Sequence, residues 1–367
     1  MSAIIVAGGA GYIGSHFCHV AAERGFSPII IDRIGPSSKR VEAYRRAAEH
    51  RFPLEICDIS DEARVGELIA RVRPVAAVCF AALIEVGESV AKPCLYWDNN
   101  YIRTARFFRS LSTAGVRHLV FSSTAAVYSD ANDARGLAEG HQLRPASPYG
   151  LTKLGCELML QGASASHNVA PAVSFDLALA DWPPPPSTTA TAPAAFAPPS
   201  SLILRYFNAA GAHPAAGLGE VHDPETHLIP NAITAALQGR TNGGEILTIN
   251  GDDYPTKDGT CVRDYVHVLD LAEAHVAGLE YLLKGGRNDV LNLGSGSGYS
   301  IRQVLDAIRE VTGATIAARI GPRRVGDPAR LVADVTKARS VIGWHPRRVL
   351  TDIIASAAEF HRCQDVV

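Results

Sequence analysis

Short runs of hydrophobic residues alternate with amphipathic stretches along the first half of the chain. Uninterrupted runs of Val, Ile, Leu and Ala are typical of strands buried on both faces of a parallel sheet, and the stretches between them are typical of covering helices. The predicted strands are Ala3 to Ala7, Pro28 to Ile31, Leu54 to Ile56, Val75 to Phe80, His118 to Phe121 and Leu202 to Leu204. This alternation predicts an α/β fold with a doubly wound parallel sheet of the Rossmann type.

Two changes of pattern suggest how the chain is divided. Residues from about 163 to 201 are rich in Pro, Ala and Thr and include the proline run Pro183 to Pro186, which indicates a surface insertion. After Asn208 the alternation weakens, and loops with Gly, Pro and Asp become frequent. We therefore expect a Rossmann domain over residues 1–208 that contains the insertion. A smaller, mixed substrate domain is expected over residues 209–367, partly interleaved with the first.

Composition narrows the class of protein. The chain has 367 residues, of which 47% are hydrophobic and 20% charged, and its net charge of −2 gives no reason to expect nucleic acid as a partner. The longest uncharged stretch, Trp182 to Leu204, holds seven prolines, so we expect no membrane helix. The first residues lack signal-peptide features. Seven cysteines without C-x-x-C spacing indicate neither a disulfide framework nor a zinc site. These features predict a cytoplasmic protein without a bound metal.

The turn between the first predicted strand and the first helix is rich in glycine. It contains Gly8, Gly9, Gly11 and Gly14, which fit both G-x-G-x-x-G and the wider G-x-x-G-x-x-G. Such a turn lets the backbone approach a pyrophosphate at a helix N-terminus, although any tight strand-to-helix turn also favours glycine. Asp32 ends the second strand 18 residues after Gly14, where a carboxylate would bind the ribose 2′-hydroxyl of NAD. Arg33 beside it leaves NADP open as an alternative.

Polar and small residues also occupy the ends of the next predicted strands. Asp58 comes after the third strand, and Phe80, Ala81 and Ala82 come after the fourth. In an open parallel sheet the carboxyl ends of the strands face the ligand crevice. We therefore expect these residues to lie near the glycine-rich turn.

A tyrosine and a lysine four residues apart are the candidate catalytic pair. Ser147 followed by Pro148 predicts the start of a helix, and that helix would place Tyr149 and Lys153 on one face. A tyrosine is a weak base unless a positive charge stabilises its phenolate, and Lys153 can supply that charge. The sequence Ser122-Ser123-Thr124 follows the fifth strand, so Thr124 can relay a hydrogen bond between a substrate and Tyr149.

With these motifs the chain resembles the extended short-chain dehydrogenase/reductase family, and within it the UDP-galactose 4-epimerases. The resemblance extends over nearly the whole chain outside the insertion, and its most specific block is Asp-Gly-Thr-x-Val-Arg-Asp-Tyr at residues 258–265. Further matching stretches are residues 8–16, 86–89, 98–100, 122–128, 147–153, 205–213, 291–294 and 323–327.

The resemblance implies a reaction, a cofactor and a set of site residues. It implies 4-epimerisation of UDP-hexoses through a 4-keto intermediate, with Tyr149, Lys153 and Thr124 as catalytic residues, and a homodimer. The residues implied to bind NAD are Gly8, Gly11, Tyr12, Ile13, Gly14, Asp32, Asp58, Ile59, Phe80, Ala81, Ala82, Asn99, Ser122, Tyr149, Lys153 and Phe207. Those implied to bind the UDP-sugar are Asn208, His227, Leu228, Arg263, Arg324, Asp327 and Leu331. Two arginines from distant segments independently suit a diphosphate.

Several positions depart from the pattern of these epimerases. Ile84 replaces a frequent lysine near the cofactor, which puts one NAD contact in doubt. His227 replaces an asparagine, and Asn250 stands near the expected uracil position, where an aromatic residue is frequent. Leu331 stands where some members have a tyrosine, so we hypothesise that the sugar pocket admits UDP-N-acetylglucosamine as well as UDP-glucose.

Two other functions stay open at this point, a sister epimerase and a non-catalytic regulator, whereas a dehydratase is not expected. A UDP-xylose/arabinose or UDP-glucuronate 4-epimerase would share the catalytic pair and differ only in the sugar pocket. A 4,6-dehydratase needs a carboxyl pair directly after Thr124, where this chain has Ala125 and Ala126. A non-catalytic NAD-binding regulator would be expected to have lost Tyr149 or Lys153, and both are present.

Overall fold

The computed structural model describes residues 1–33, 51–128, 136–162, 199–222, 224–237, 247–324 and 327–364. Within these ranges the strands of the largest sheet are β1 (Ser2–Ala7), β2 (Phe26–Asp32), β3 (Leu54–Ile56), β4 (Ala76–Cys79), β5 (His118–Thr124), β6 (Ser200–Tyr206) and β10 (Asp289–Leu293). All seven are parallel, and their order across the sheet is β10-β6-β5-β4-β1-β2-β3. The strand order reverses between β1 and β4, which is where doubly wound sheets bind their ligands.

Helices cover both faces of this sheet. The α-helices of the described ranges are α1 (Tyr12–Glu23), α2 (Glu62–Val72), α3 (Val86–Ala91), α4 (Pro93–Tyr96), α5 (Arg103–Thr113), α6 (Pro148–Gly162), α7 (Leu228–Leu237), α8 (Val268–Leu283), α9 (Ile301–Thr312), α10 (Thr336–Ile342) and α11 (Leu350–Gln364). A π-helical turn, Trp97–Ile102, joins α4 to α5. No helix of the described ranges is both long enough and apolar enough to cross a bilayer.

The side chains of β1 show why the sequences of these strands are continuous runs of apolar residues. Ile4 and Val6 pack on one face with residues of α1 and α8, whereas Ile5 and Ala7 pack on the other with residues of α2 and α5. Because successive side chains of a strand point to opposite faces and both faces are covered, every position of β1 beyond its start is buried.

Two smaller sheets follow the sixth strand. One pairs β7 (Asn208–Ala210), β9 (Val262–His267), β11 (Gly298–Ser300) and β13 (Arg330–Leu331), and the other pairs β8 (Leu247–Asn250) with β12 (Ala318–Gly321). The helices α7, α9 and α11 pack together with Tyr265 of β9 in a separate core. The chain passes from the large sheet to this region through β7, which follows β6 almost directly.

The predicted strands and the helix that begins at Pro148 are confirmed, with small changes at their ends. Residues 163–198 of the predicted insertion lie outside the described residues, and Ser200 and Ser201 belong to β6, so the insertion ends earlier than expected. The boundary after residue 208 stays a prediction. Both β10 and α8 come after it in sequence and pack with the large sheet.

Candidate active site

The glycine-rich turn is shaped by close packing at two of its glycines. Gly8 has φ of +76°, and a Cβ there would lie 2.6 Å from the backbone nitrogen of Ala81. A Cβ at Gly14 would overlap the Gly8 carbonyl oxygen. At Gly11 the nearest atom would be 3.3 Å away, so the protein itself nearly tolerates a side chain there. Because Gly11 has no side chain, the outer side of the turn next to it is open.

Helix α1 begins at this turn without a capping side chain. Gly11 is its N-cap residue, no side chain accepts from its first N–H groups, and its first turn contains no acidic residue. Unsatisfied N–H groups at a helix start favour an anion. The uncapped helix and the open side of Gly11 together fit the pyrophosphate of a dinucleotide.

Asp32 lies at the end of β2, directly beside this turn. Its Oδ2 accepts from Ala10 N at 3.0 Å. Burial raises the pKa of Asp32. The backbone N–H groups of Ala10 and Arg33 have the opposite, smaller effect, because they stabilise the charged carboxylate. The guanidinium of Arg33 instead contacts Asn99 Oδ1 at 2.5 Å and Asp58 Oδ2 at 3.4 Å. Since Arg33 is engaged away from Asp32, the geometry favours NAD over NADP.

Asp58 is held in an ion-pair network after β3. It accepts from Ser60 N at 2.8 Å and from Ser60 Oγ at 2.7 Å, and it pairs with Arg33 and Arg103. Burial opposes ionisation of Asp58, but these bonds outweigh it and hold its pKa below the usual range. Asp58 is therefore a fixed negative charge at the carboxyl edge.

The loop after β4 is held by a residue that the sequence analysis did not single out. Asn100 accepts from Leu83 N at 2.8 Å and donates to Leu83 O at 2.8 Å. It also accepts from Asn99 Nδ2 at 2.9 Å. Asn99 and Asn100 lie in the π-helical turn, a feature frequent at functional sites. The consecutive asparagines at 99 and 100 were a signal for this role, because two buried amides require partners.

Tyr149 and Lys153 lie one turn apart in α6 and are both buried. Lys153 Nζ donates to Ser122 O at 2.9 Å and lies 5.0 Å from the centre of the Phe121 ring. Tyr149 shares a side-chain hydrogen bond with Thr124. Burial raises the pKa of Tyr149, which this bond opposes, and burial lowers the pKa of Lys153. The predicted catalytic pair is thus desolvated and in contact with the end of β5.

The three hydroxyls at the end of β5 have different partners, and the expectation that these residues follow the strand is corrected. They belong to the strand itself, where successive side chains alternate. Ser122 Oγ lies 2.9 Å from His275 Nε2, and Ser123 Oγ donates to Glu157. Only Thr124 bonds to Tyr149. A contact of Ser122 with NAD stays a prediction.

A buried ion pair lies behind the catalytic helix and was not predicted. Arg205 Nε lies 3.0 and 3.1 Å from the two oxygens of Glu157, whose side chain is fully buried. Arg205 also donates to Tyr128 Oη at 3.0 Å, and Tyr128 donates to Asn292 Oδ1 at 2.6 Å. The network joins α6, β6 and β10, so it fixes the position of the helix that carries Tyr149 and Lys153.

Candidate substrate residues meet on the small sheet around β9. Arg263 in β9 is paired in register with Leu331, and its guanidinium forms an ion pair with Asp327. Asn208 is paired in register with Tyr265, two residues further along β9. Arg324 is exposed and reaches the side-chain amide of Asn250 at 3.1 Å when that amide is turned to accept. Asp327 N also donates to Arg324 O at 3.2 Å, so Arg263, Arg324 and Asp327 lie close together.

His227 and Leu228 stand at the start of α7. Leu228 is the first residue of that helix, and His227 Nδ1 lies 3.0 Å from a carboxylate oxygen of both Glu220 and Glu225. Burial disfavours the charged imidazole, but the two carboxylates outweigh it and raise the pKa of His227 to about 10. Thr226 beside it donates to Glu85 at 2.7 Å, which links this loop to the segment after β4.

Comparison with known proteins identifies the family. The family model described as NAD dependent epimerase/dehydratase family matches residues 4–178 and 194–294. The chain belongs to this family. It is 42% identical to a UDP-glucose 4-epimerase of Rhizobium leguminosarum bv. trifolii over 98% of this chain and 97% of that protein. It is 38% identical to one of Lactobacillus helveticus over 98% and 97%.

Solved structures of the same family are similar to the whole chain. A UDP-glucose-4-epimerase from Stenotrophomonas maltophila with bound NAD and formylated UDP-arabinopyranose covers 100% of this chain at a TM-score of 0.85 and 34% identity, with 99% of that chain covered. A UDP-glucose 4-epimerase from Brucella ovis in complex with NAD covers 98% at a TM-score of 0.82 and 36% identity, with 98% of that chain covered.

These matches confirm the resemblance, the Rossmann-type fold and the NAD dependence predicted from the sequence. The individual site residues of this family member stay predictions. Its departure at Ile84 leaves an isoleucine side chain 37% exposed beside the segment that begins with Glu85. An apolar side chain so placed offers no hydrogen bond to a cofactor.

Proposed function

We propose that this chain interconverts UDP-glucose and UDP-galactose by inverting C4 of the hexose with NAD. The observation that carries this proposal is the buried Tyr149, bonded to Thr124, one helical turn from a Lys153 that is anchored on Ser122 O. This group lies at the carboxyl edge of the same sheet as the glycine-rich turn. The names of its relatives support the substrate class, among them a UDP-glucose 4-epimerase of Bifidobacterium longum in complex with NAD+ and UDP.

The residues of the cofactor site have separate tasks. When bound, oxidised NAD supplies an acceptor that can take a hydride from a sugar carbon and return it. The uncapped start of α1 would bind the pyrophosphate, and Asp32 would accept from the adenosine ribose. The ammonium group of Lys153 has three N–H donors, and one of them is used by Ser122 O. The other two would be available to the hydroxyls of the nicotinamide ribose.

Tyr149 moves the proton. As a phenolate it accepts the proton of the sugar 4-hydroxyl when C4 is oxidised, and it returns that proton when C4 is reduced from the other side. Thr124 can pass a hydrogen bond between the sugar and Tyr149, since its hydroxyl both donates and accepts. Ala125 and Ala126 place no carboxyl group beside the 4-keto sugar, so elimination has no acid and base on this chain at those positions.

Inversion requires that the sugar turn over while its nucleotide stays bound. Arg263 and Arg324 would hold the diphosphate with charge-assisted hydrogen bonds, and Asp327 orients Arg263 through its ion pair. Binding through the nucleotide leaves the sugar ring loosely held, so the 4-keto intermediate can present either face.

Replacement of the base tests the proposal. Tyr149→Phe is expected to reduce interconversion of UDP-glucose and UDP-galactose by at least about a hundredfold, the lower range for loss of a positioned acid or base. NAD bound per chain should be unchanged, because the ring remains. Tyr281→Phe is the matched control, since Tyr281 lies in α8 and its hydroxyl accepts from Arg287 N at 3.1 Å. Normal turnover by Tyr149→Phe would contradict the assignment.

Activity without added reductant separates the enzyme from a non-catalytic NAD-binding regulator. The purified protein is incubated with UDP-glucose alone, and the C4 configuration of the products is determined by NMR. A panel with UDP-xylose and UDP-glucuronate follows in the same assay. Conversion of UDP-glucuronate or UDP-xylose at a higher kcat/KM than UDP-glucose would reassign the substrate.

Leu331 is the residue from which we infer the range of sugars that the protein accepts. It is partly buried and sits in register beside Arg263, so it lies next to a predicted diphosphate ligand. Because leucine is smaller than the tyrosine of some relatives, we expect UDP-N-acetylglucosamine to be epimerised. Leu331→Tyr should lower kcat/KM for the acetamido sugar and leave that for UDP-glucose nearly unchanged. No detectable epimerisation of the acetamido sugar by the natural chain would refute this.

A homodimer in the cytoplasm completes the proposal. The segment from α3 to α5 exposes several large apolar side chains, among them Val90 at 63%, Leu95 at 43% and Ile102 at 45%. We expect these exposed side chains of consecutive helical segments to form one apolar face. A second copy of this chain would cover that face. Ile102→Glu should yield a monomer in light scattering, whereas Ile320→Glu, on an exposed part of β12, should not.

A further inference from the structure

Four potential metal ligands converge just before α7. They are Glu220, His222, Glu225 and His227, and the ligand atoms lie within 4.8 Å of one another. The side chains of His222 and Glu220 are only 2% and 7% exposed. The prediction of no metal rested on cysteine spacing, and this group contains no cysteine.

Four separations within the group are close to the edge length of a coordination tetrahedron, with Glu225 facing His227 through Oε1 and His222 through Oε2. His227 Nδ1 lies 3.0 Å from Glu220 and 3.0 Å from Glu225. His222 Nδ1 lies 3.2 Å from Glu220 and 3.5 Å from Glu225. Imidazole and carboxylate ligands bind zinc at about 2.0 to 2.2 Å, which places tetrahedral ligands roughly 3.4 Å apart.

Hydrogen bonds alone cannot account for all four approaches. Each Nδ1 carries at most one hydrogen, so His222 and His227 together can fill two of the four short N···O separations. Two carboxylates largely removed from water also require compensation by positive charge, of which a protonated His227 supplies only one unit. A single divalent cation at the centre would satisfy all four separations and both carboxylates.

The surrounding backbone holds one ligand in place before any cation arrives. Glu225 Oε1 accepts from Thr226 N and from His227 N, each at 2.9 Å. Asn231 Nδ2 in α7 donates to Glu225 O at 3.1 Å. Such outer contacts orient metal ligands in known sites.

We propose that Glu220, His222, Glu225 and His227 form a binding site for one divalent cation of the zinc type. Two nitrogens and two carboxylate oxygens suit zinc, whereas calcium and magnesium require six or more oxygens or retained waters. The cation would tie Glu220 and His222 to the residues directly before α7. This site does not depend on the proposed epimerase activity.

Zinc titration of the untagged, NAD-loaded protein tests the site. After treatment with EDTA and its removal, zinc is titrated in competition with a chromophoric chelator. We expect one zinc per chain. His222→Gln and Glu220→Gln should weaken zinc binding by at least about a hundredfold. This is at least as large as the loss seen when a residue that only orients a metal ligand is replaced. His345→Gln, at an exposed histidine, should bind zinc like the natural chain.

A variant at the more exposed ligand His227 keeps the test valid if the variants at buried ligands do not fold. His227 is 42% exposed, so His227→Gln should fold even if substitutions at buried ligands do not. Zinc should raise the melting temperature of the natural chain and of His345→Gln, but not that of His227→Gln. The proposal is overturned if the natural chain binds no stoichiometric zinc, or if the ligand variants bind zinc as tightly as His345→Gln.

Discussion

His275 should make the folded protein sensitive to mild acid. Its Nδ1 donates to Leu271 O at 2.8 Å, since a carbonyl only accepts, so the neutral Nε2 accepts from Ser122 Oγ at 2.9 Å. The ring is fully buried beside Phe80, with ring centres 4.8 Å apart. Burial lowers the pKa of His275 to about 4, although the bond to Leu271 O opposes this.

The magnitude follows from proton linkage. Above pH 6.5 the ring is neutral in both the folded and the unfolded chain, so its contribution to stability is fully present. As the pH falls from 6.5 towards 4, the unfolded chain binds a proton and the folded chain does not. The free energy of unfolding then drops by about 1.4 kcal/mol per pH unit, and by about 3 kcal/mol in total.

Urea unfolding measured by circular dichroism at pH 7.5, 6.0 and 5.0 tests this linkage. Between pH 6.0 and 5.0, His275→Gln should lose about 1.2 kcal/mol less stability than the natural chain, because the unfolded histidine is only partly protonated at pH 6.0. Ser122→Ala is the control, because it removes the hydrogen bond but keeps the titrating ring, so its pH slope should equal that of the natural chain. Equal slopes for the natural chain and His275→Gln would refute the reasoning. His16 and His267, buried with pKa values lowered to about 4 and about 3, add to the slope of all three proteins.

Further predictions concern the cofactor turn, the buried ion pair and cofactor retention. Gly14→Ala should abolish NAD binding, measured by absorbance of the purified protein, because its Cβ would overlap the turn, whereas Gly66→Ala in open space on α2 should stabilise the fold by about 1 kcal/mol. Glu157→Gln should cost about 3 to 5 kcal/mol in urea unfolding by leaving Arg205 unpaired, and adding Arg205→Met should recover most of it. Ile84→Lys should slow the loss of NAD during dialysis, because it restores the lysine that is frequent near the cofactor. An unchanged rate would show that Ile84 does not weaken NAD retention.

The sequence was sufficient to predict the large sheet and the catalytic pair because both depend on local pattern. Strands buried on both faces, such as β1, are continuous apolar runs, and Tyr149 and Lys153 owe their common face to helical spacing alone. The glycine-rich turn is local in the same sense, although the contact between Gly8 and Ala81 depends on β1 and β4 being neighbours.

Contacts between distant segments could not be predicted in this way. Arg205 and Glu157 are 48 residues apart, and no periodicity marks them as partners. The direction of each hydroxyl at the end of β5 depends on what covers either face, so Ser122 meets His275 from a segment 153 residues away. Spacing alone gave no reason to expect His222 and His227 to face the same two carboxylates, since that depends on how the loop folds back on itself.

Burial opposes the working charge of both catalytic groups. It raises the pKa of Tyr149 and lowers that of Lys153, so the desolvated pair on its own favours a neutral phenol. The hydrogen bond from Thr124 acts in the other direction, but a neutral donor offsets only part of the cost of a buried phenolate. A second positive charge beside Lys153 would therefore help Tyr149 to act as a base at neutral pH, and oxidised NAD would bring one to the crevice. We expect proton removal to be favoured in the chain loaded with its oxidised cofactor, which would couple acid-base chemistry to redox chemistry at the same carbon.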